Sequence, residues 1–324
     1  MRILVSGAGG FIGSHVVEAC VRAGHDVKCL VNYNSRSDYG FISELPSVIQ
    51  SEIEVHVADI RDSEAVYTCC DNVEAILHLA ALIGIPYSYV APISYIQVNV
   101  MGTLNFLNAA RRLGLRFIHT STSEVYGSAE YVPIDEAHPL SAQSPYSASK
   151  IAADKVAESY ALSFDLAVTI IRPFNTFGPR QSLRAVIPTL ASQLLDSDVR
   201  SVQAGSLYPV RDYTFVTDTA GAFLRALARD ISPGTVINLG TGVGFSIAEI
   251  YTKLQEITGI QKPIAQESRR VRPEHSEVTR LVSDNTLARE LLGWEPTVSF
   301  DSGLKAVVDY LAERGIARPE RYYT

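Results

Sequence analysis

Cysteine is scarce in this chain: four in 324 residues, at Cys20, Cys29, Cys69 and Cys70. None has the CxxC spacing of a zinc site, and four are too few for a disulfide scaffold. They read as reduced, buried thiols of a cytosolic protein. Long apolar runs are also lacking, and none reaches the roughly 18 residues of a membrane helix. The apolar start, residues 1–5, meets glycines at once and shows no cleavage-site pattern, so no signal peptide is expected and the expected location is cytoplasmic. Basic residues are in the minority: 28 Lys and Arg stand against 35 Asp and Glu, a net charge of −7. Nucleic-acid binding needs clustered basic charge, so that partner is not expected. His15, His25, His56, His119, His138 and His275 are scattered without ligand spacing, so no metal site is expected.

What is present is a hydrophobic share of 47%, ample for a packed core and incompatible with wholesale disorder. At about 150 residues per domain the length allows two domains. Short β-branched apolar runs recur at 3–6, 27–31, 53–57, 75–79, 116–120, 167–172 and 235–239. Segments with helical spacing, among them 12–23, 99–113 and 147–163, lie between most of them. Such alternation predicts right-handed βαβ crossovers and a parallel sheet covered on both faces. The expected class is α/β, a doubly wound parallel sheet with a smaller α/β substrate-binding domain. After Arg172 prolines punctuate shorter elements, and a last amphipathic helix, 302–314, follows Trp294. Trp294 is expected to pack the smaller domain.

Ser6-Gly7-Ala8-Gly9-Gly10-Phe11-Ile12-Gly13 follows the first strand and opens the first helix. Gly7, Gly10 and Gly13 permit a tight turn, close approach to a pyrophosphate and close helix–strand packing. The helix N-terminus offers its free N–H groups to phosphate. An acidic residue ending the second strand would select NAD over NADP. Val31-Asn32 stands there instead. Asn32 and Arg36 suit a 2′-phosphate, which leans the choice toward NADP, although Arg36 reads nearly as well as a solvated loop charge. Asp59 and Ile60 are placed to meet the adenine edge, and Asp59 equally to cap the next helix.

Tyr146-Ser147-Ala148-Ser149-Lys150 puts Tyr and Lys four residues apart, on one helical face. A lysine ammonium and a positive nicotinamide ring stabilise a phenolate, so Tyr146 can take a proton from a substrate hydroxyl. Lys150 can also hydrogen-bond the nicotinamide ribose. Thr122, Ser123 and Glu124 follow a strand that enters the same cleft. Thr122 can hydrogen-bond the reacting oxygen. Glu124, at the carboxyl end of a parallel strand, is the candidate general base.

Together these residues resemble the extended short-chain dehydrogenases/reductases that act on nucleotide sugars, a family with the Rossmann fold. The resemblance rests on the glycine turn, Asp59-Ile60, His78-Leu79-Ala80-Ala81, Asn99-Val100-Met101-Gly102-Thr103, the Ser121 to Gly127 string, Tyr146 with Lys150, Arg172 to Arg180, and Arg211-Asp212-Tyr213. It implies that Leu79, Ala80, Ala81 and Asn99 border the cofactor. It implies further that Asn175 and Val186 hold the nucleotide, while Arg211 and Arg272 meet the diphosphate. It divides the chain into a dinucleotide domain, 1–172 plus about 214–258, and a nucleotide-sugar domain, 173–213 plus about 259–324. A homodimer is implied as well.

Three stretches, 81–89, 121–127 and 180–188, resemble UDP-N-acetylglucosamine 4,6-dehydratases more narrowly. That likeness implies C4 oxidation by a tightly bound, recycled NAD(P)⁺, C5 deprotonation by Glu124 and loss of the C6 hydroxyl as water. One position departs from the dTDP-glucose 4,6-dehydratases: Ser123 stands where they carry the aspartic acid that protonates the leaving group. Serine has no suitable pKa for that task. Glu124 alone, Tyr87 or a water would then serve. UDP-glucuronate decarboxylation, with Arg184 near a C6 carboxylate, and 4-epimerisation remain open. So does a non-catalytic cofactor sensor, although such proteins typically lose the Tyr–Lys pair.

Overall fold

The computed structural model describes residues 1–35, 38–270, 273 and 276–315, apart from the side chain of Arg269. The chain begins with β1 (Arg2–Ser6), α1 (Phe11–Arg22), β2 (Asp26–Val31), α2 (Ser47–Gln50), β3 (Ile53–Val57), α3 (Ser63–Cys69) and β4 (Ala75–His78). Then come α4 (Ile85–Val90), α5 (Pro92–Tyr95), a π-helical turn (Ile96–Met101), α6 (Gly102–Leu113) and β5 (Arg116–Thr120). α7 (Pro145–Phe164), β6 (Val168–Pro173), β7 (Asn175–Phe177), α8 (Val186–Leu195), β8 (Val202–Ala204) and β9 (Val210–Phe215) follow. α9 (Val216–Ala228), β10 (Thr235–Leu239), β11 (Gly244–Ser246), α10 (Ile247–Thr258), β12 (Ile264–Gln266), β13 (Arg280–Leu281) and α11 (Phe300–Arg314) complete it.

All seven apolar runs join one parallel sheet, in the order β10-β6-β5-β4-β1-β2-β3. Strand alternation divides their side chains between its faces. Ile3, Val5, Ile118 and Ile171 pack with α1 and α9, whereas Leu4, Phe117 and Ile170 pack with α3, α6 and α7. The order reverses between β1 and β4, the switch point at which such sheets bind ligands. This is a Rossmann-type α/β fold.

A second core lies between a small sheet, order β11-β9-β13 with β7 also paired to β9, and helices α8, α10 and α11. The segment expected as one piece, 214–258, splits between the cores. Phe223, Ala226 and Ile237 pack in the first, whereas Ile247, Ile250 and Leu254 of α10 pack in the second. Trp294 also departs from expectation, because it is buried in the first core. Its indole nitrogen donates to the Asp218 carbonyl at 2.8 Å. The Asp218 carboxylate accepts from Thr297 N and Oγ1 and from Val298 N. These bonds pin the segment before α11 to the start of α9.

Candidate active site

The turn after β1 is close-packed. Gly7 has φ +72°, and a Cβ there would stand 2.7 Å from Ala80 N. A Cβ on Gly13 would stand 2.1 Å from the Gly7 carbonyl oxygen. Glycine thus lets α1 rest directly on the end of β1. Gly10 caps α1 without any side-chain hydrogen bond, so the first-turn N–H groups, starting at Phe11 and Ile12, face the turn. An uncapped helix end over a side-chain-free turn fits a dinucleotide pyrophosphate.

His78 holds the neighbouring loop through a directed chain. Thr103 Oγ1 donates to Asn99 O at 2.6 Å and therefore accepts from His78 Nε2 at 3.0 Å. His78 Nδ1 then accepts from Ser6 Oγ at 2.8 Å, and Ser6 Oγ accepts from Ala80 N. Burial, with the charges of His119 and Lys150, holds the ring neutral, well below its ordinary pKa. Leu79 and Ala80 are thereby laid across Gly7, with Ala81 following.

Asn99 sits in the π-helical turn and is fully buried. Its Oδ1 accepts from Leu82 N at 2.8 Å, and its Nδ2 donates to Leu82 O and to Ser149 Oγ, each at 2.9 Å. The side chain expected at the cofactor is thus engaged in bracing the 79–82 loop against α7.

α7 starts with a reciprocal cap. Ser147 N donates to Ser144 Oγ, Ser144 N donates to Ser147 Oγ, and Pro145 occupies the first turn. This fixes the helix phase that carries Tyr146 and Lys150, both buried. Tyr95 stacks edge-on against Tyr146 at 6.2 Å. Burial pushes the Tyr146 phenol well up, its hydrogen bond with Thr122 pulls it down, and the Glu124 carboxylate pushes it up further. Burial brings Lys150 down to about 8, opposed by Asp154. Lys150 Nζ donates to Thr120 O at 2.6 Å. Thr122 Oγ1 also accepts from Glu124 N at 3.2 Å. Ser123 is buried and Glu124 half-buried.

One cleft therefore brings together the glycine turn, the 79–81 loop, Thr122, Glu124, Tyr146 and Lys150. The ring of Tyr87 lies 6.3 Å from that of Tyr95, whose phenol feels the charge of Arg184. Val186 opens α8. Asn175 pairs with Tyr213, which places it on the same sheet face as Arg211. Arg211 is buried, with Nη1 donating to Val210 O and Nη2 3.6 Å from Glu277.

Other expectations shift. Ile60 turns its side chain into the first core, and a Cβ on Gly102 would stand 2.5 Å from its Cδ1. Asp59 is paired with Arg61, while Asp62 caps α3 instead. Asn32 is exposed beyond β2. Arg36 and Arg272 lie outside the described residues. Missed from sequence were Tyr95, Ser149 and Asp154. Asp154 alone left a signal, four residues beyond Lys150 on the same helical face.

A doubly wound sheet with an uncapped glycine turn and a buried Tyr–Lys pair defines a dinucleotide-dependent enzyme of the short-chain dehydrogenase type. Residues 4–307 match the family model described as GDP-mannose 4,6 dehydratase. The UDP-glucose 4-epimerase of Mycolicibacterium smegmatis is 34% identical over 320 residues, covering 97% of this chain and 99% of the relative. The crystal structure of a Thermotoga maritima UDP-glucose 4-epimerase with UDP-glucose superposes with a TM-score of 0.87 at 31% identity, covering 97% and 99% of the two chains. A dTDP-glucose 4,6-dehydratase from Streptomyces venezuelae, solved with NAD bound, gives 0.86 at 29% identity and 97% coverage of both chains. The chain belongs to the NAD-dependent nucleotide-sugar epimerase/dehydratase family of the extended short-chain dehydrogenases/reductases.

Proposed function

We propose that this enzyme is a 4,6-dehydratase acting on UDP-N-acetylglucosamine or a close UDP-hexose. The observation that carries the reading is Glu124, whose charge acts on the Tyr146 phenol and gives the cleft a second base. Tyr146 as phenolate takes the proton of the C4 hydroxyl, with Thr122 hydrogen-bonded to the phenol. A nicotinamide dinucleotide, when bound, supplies the hydride acceptor for C4 and the later hydride donor for C6. The C4 ketone acidifies the C5 proton, which Glu124 removes as the C6 hydroxyl departs. Of the two protons taken up, one leaves with the water and the other returns to C5. Ser123 supplies no acid, so protonation of the leaving hydroxyl falls to Glu124 or to a water beside it.

The proposed cofactor is tightly held and recycled. The lean to NADP is supported by Val31-Asn32, which place no carboxylate at the end of β2, and the nearby Asp38 is occupied in capping Gly40 N at 2.6 Å. A homodimer is supported by exposed apolar side chains at Val90, Ile93, Ile96, Met101 and Leu162. A 4-epimerase is the second reading, favoured by Ser123 in place of an acid and by the epimerase relatives.

Incubation with UDP-N-acetylglucosamine followed by mass analysis tests the proposal. Loss of one water supports it. An unchanged mass with inversion at C4 replaces it with epimerisation, and loss of carbon dioxide from UDP-glucuronate replaces it with decarboxylation.

A further inference from the structure

Beyond Tyr146 and Lys150, α7 carries a third polar side chain on the same face: Asp154, one turn past Lys150. It is completely buried. Its Oδ2 accepts from Arg172 Nε at 3.1 Å, Arg172 Nη2 at 3.0 Å and Ser121 Oγ at 2.8 Å. Its Oδ1 lies 3.3 Å from His119 Nε2. The guanidinium is held from its other side, because Arg172 Nη1 donates to Tyr126 Oη, which donates to Asn238 Oδ1 at 2.7 Å.

The charges around this carboxylate come from every neighbouring element. Lys150 and Tyr146 face it from α7, His119 from β5 and Arg172 from β6. His119 and Lys150 in turn act on the neutral His78 of β4, and Glu124 acts on Tyr146. His119 is neutral near pH 7, its burial bringing it down to about 4. Two buried cations, Lys150 and Arg172, thus share one buried anion. An isolated Asp–Arg pair of this depth is poor value for stability, since apolar replacements often do as well. Asp154 stands one turn past Lys150, bonded to Ser121 next to the Thr120 carbonyl that Lys150 Nζ reaches. Its charge acts on that ammonium, which gives it another use. A buried ammonium without a counter-charge gives up its proton.

We propose that Asp154 is a positioning residue for the reaction: its fixed carboxylate is the counter-charge that keeps Lys150 an ammonium beside Tyr146. Arg172 and Ser121 hold that carboxylate in place. The inference rests on the roles given above to Tyr146 and Lys150, and is independent of which sugar is turned over.

The test is the pH dependence of first-turnover nicotinamide reduction, followed by absorbance after rapid mixing between about pH 6 and 10. Purified protein with its bound cofactor is mixed with UDP-N-acetylglucosamine, UDP-glucose, UDP-glucuronate and dTDP-glucose in turn. Loss of charge on Lys150 sets the alkaline limb. Asp154→Asn should move that limb about one pH unit toward acid, whereas Asp154→Glu should leave it near the wild-type position. Arg172→Gln should move it the other way, because the carboxylate then serves Lys150 alone. Variants that lose amplitude with the limb unmoved would overturn the proposal, and so would Arg172→Gln moving it toward acid. If Asp154→Asn does not fold, the sign of the Arg172→Gln shift decides. Reduction by another sugar but not by UDP-N-acetylglucosamine would sink the substrate reading and leave this test intact.

Discussion

The amide of Asn99 donates to the hydroxyl of Ser149 at 2.9 Å, and Ser149 in turn donates to the carbonyl of Tyr146. The two bonds join the loop that lies across the glycine turn to the helix bearing the proposed base. Asn99→Ala removes this tie and leaves Leu82 N and O without their partner. The expected loss is about 2–4 kcal/mol of stability, accompanied by cofactor loss on gel filtration. Urea unfolding and the absorbance of retained cofactor measure the two. An unchanged cofactor content would show that the brace does not shape the site.

Two glycines should respond in opposite directions. Gly13→Ala places a methyl 2.1 Å from a backbone oxygen and should both destabilise the fold and release the cofactor. Gly221 lies inside α9 with no atom within 4 Å of an added Cβ. Gly221→Ala should stabilise by about 0.5–1 kcal/mol through helix propensity. Thermal melts of the pair read the contrast, and equal shifts would contradict it.

Acid should unfold the protein through its buried histidines. His15 and His119 fall from 6.5 to about 4, chiefly through burial, and His78 lies well below 6.5 for the same reason. In the folded state these rings are neutral; in the unfolded state they take up protons below about pH 6.5. Their contribution is complete above that pH and is lost as pH falls toward 4. For a shift such as that of His15 the loss is about 3 kcal/mol. Urea midpoints should therefore drop steadily from pH 7 to 5, and a flat profile would refute the assignment.

Glu124→Gln should retain substrate binding and C4 oxidation yet slow water loss by about 10²–10⁴-fold. Reduced cofactor would then accumulate, visible in its absorbance, while exchange of the C5 proton with deuterated solvent would fall. Full 6-deoxy product from this variant would remove Glu124 from the chemistry.

The seven strands were legible because each is a short run rich in β-branched and apolar residues. The runs are near-continuous in the central strands that are covered on both faces, while the edge strand β3 alternates Ile, Glu, Val, His and Val. The glycine turn and the Tyr–Lys pair were legible because their spacing alone fixes a turn and a helical face. The π-helical turn Ile96–Met101 was not, since 99–113 reads as uninterrupted helix and nothing in its spacing marks the extra residue. The packing of α10 and Trp294 was hidden for a related reason. An amphipathic stripe shows that a face is buried and not against what. Asp154 was overlooked because a lone carboxylate one turn beyond a lysine looks like an ordinary surface pair.

Within the described residues, the chain returns from the second core to the first at α9 and β10, and again at Ala288, Leu292 and Trp294. The Arg180 guanidinium also clamps the second lobe to Glu18 of α1 at 2.9 Å. Neither lobe is therefore a contiguous stretch of polypeptide. A protease nick in one exposed loop would free no self-sufficient fragment, and calorimetry should record a single melting peak in place of two. Heat and chain cleavage would then take the sugar-facing wall and the cofactor platform down together.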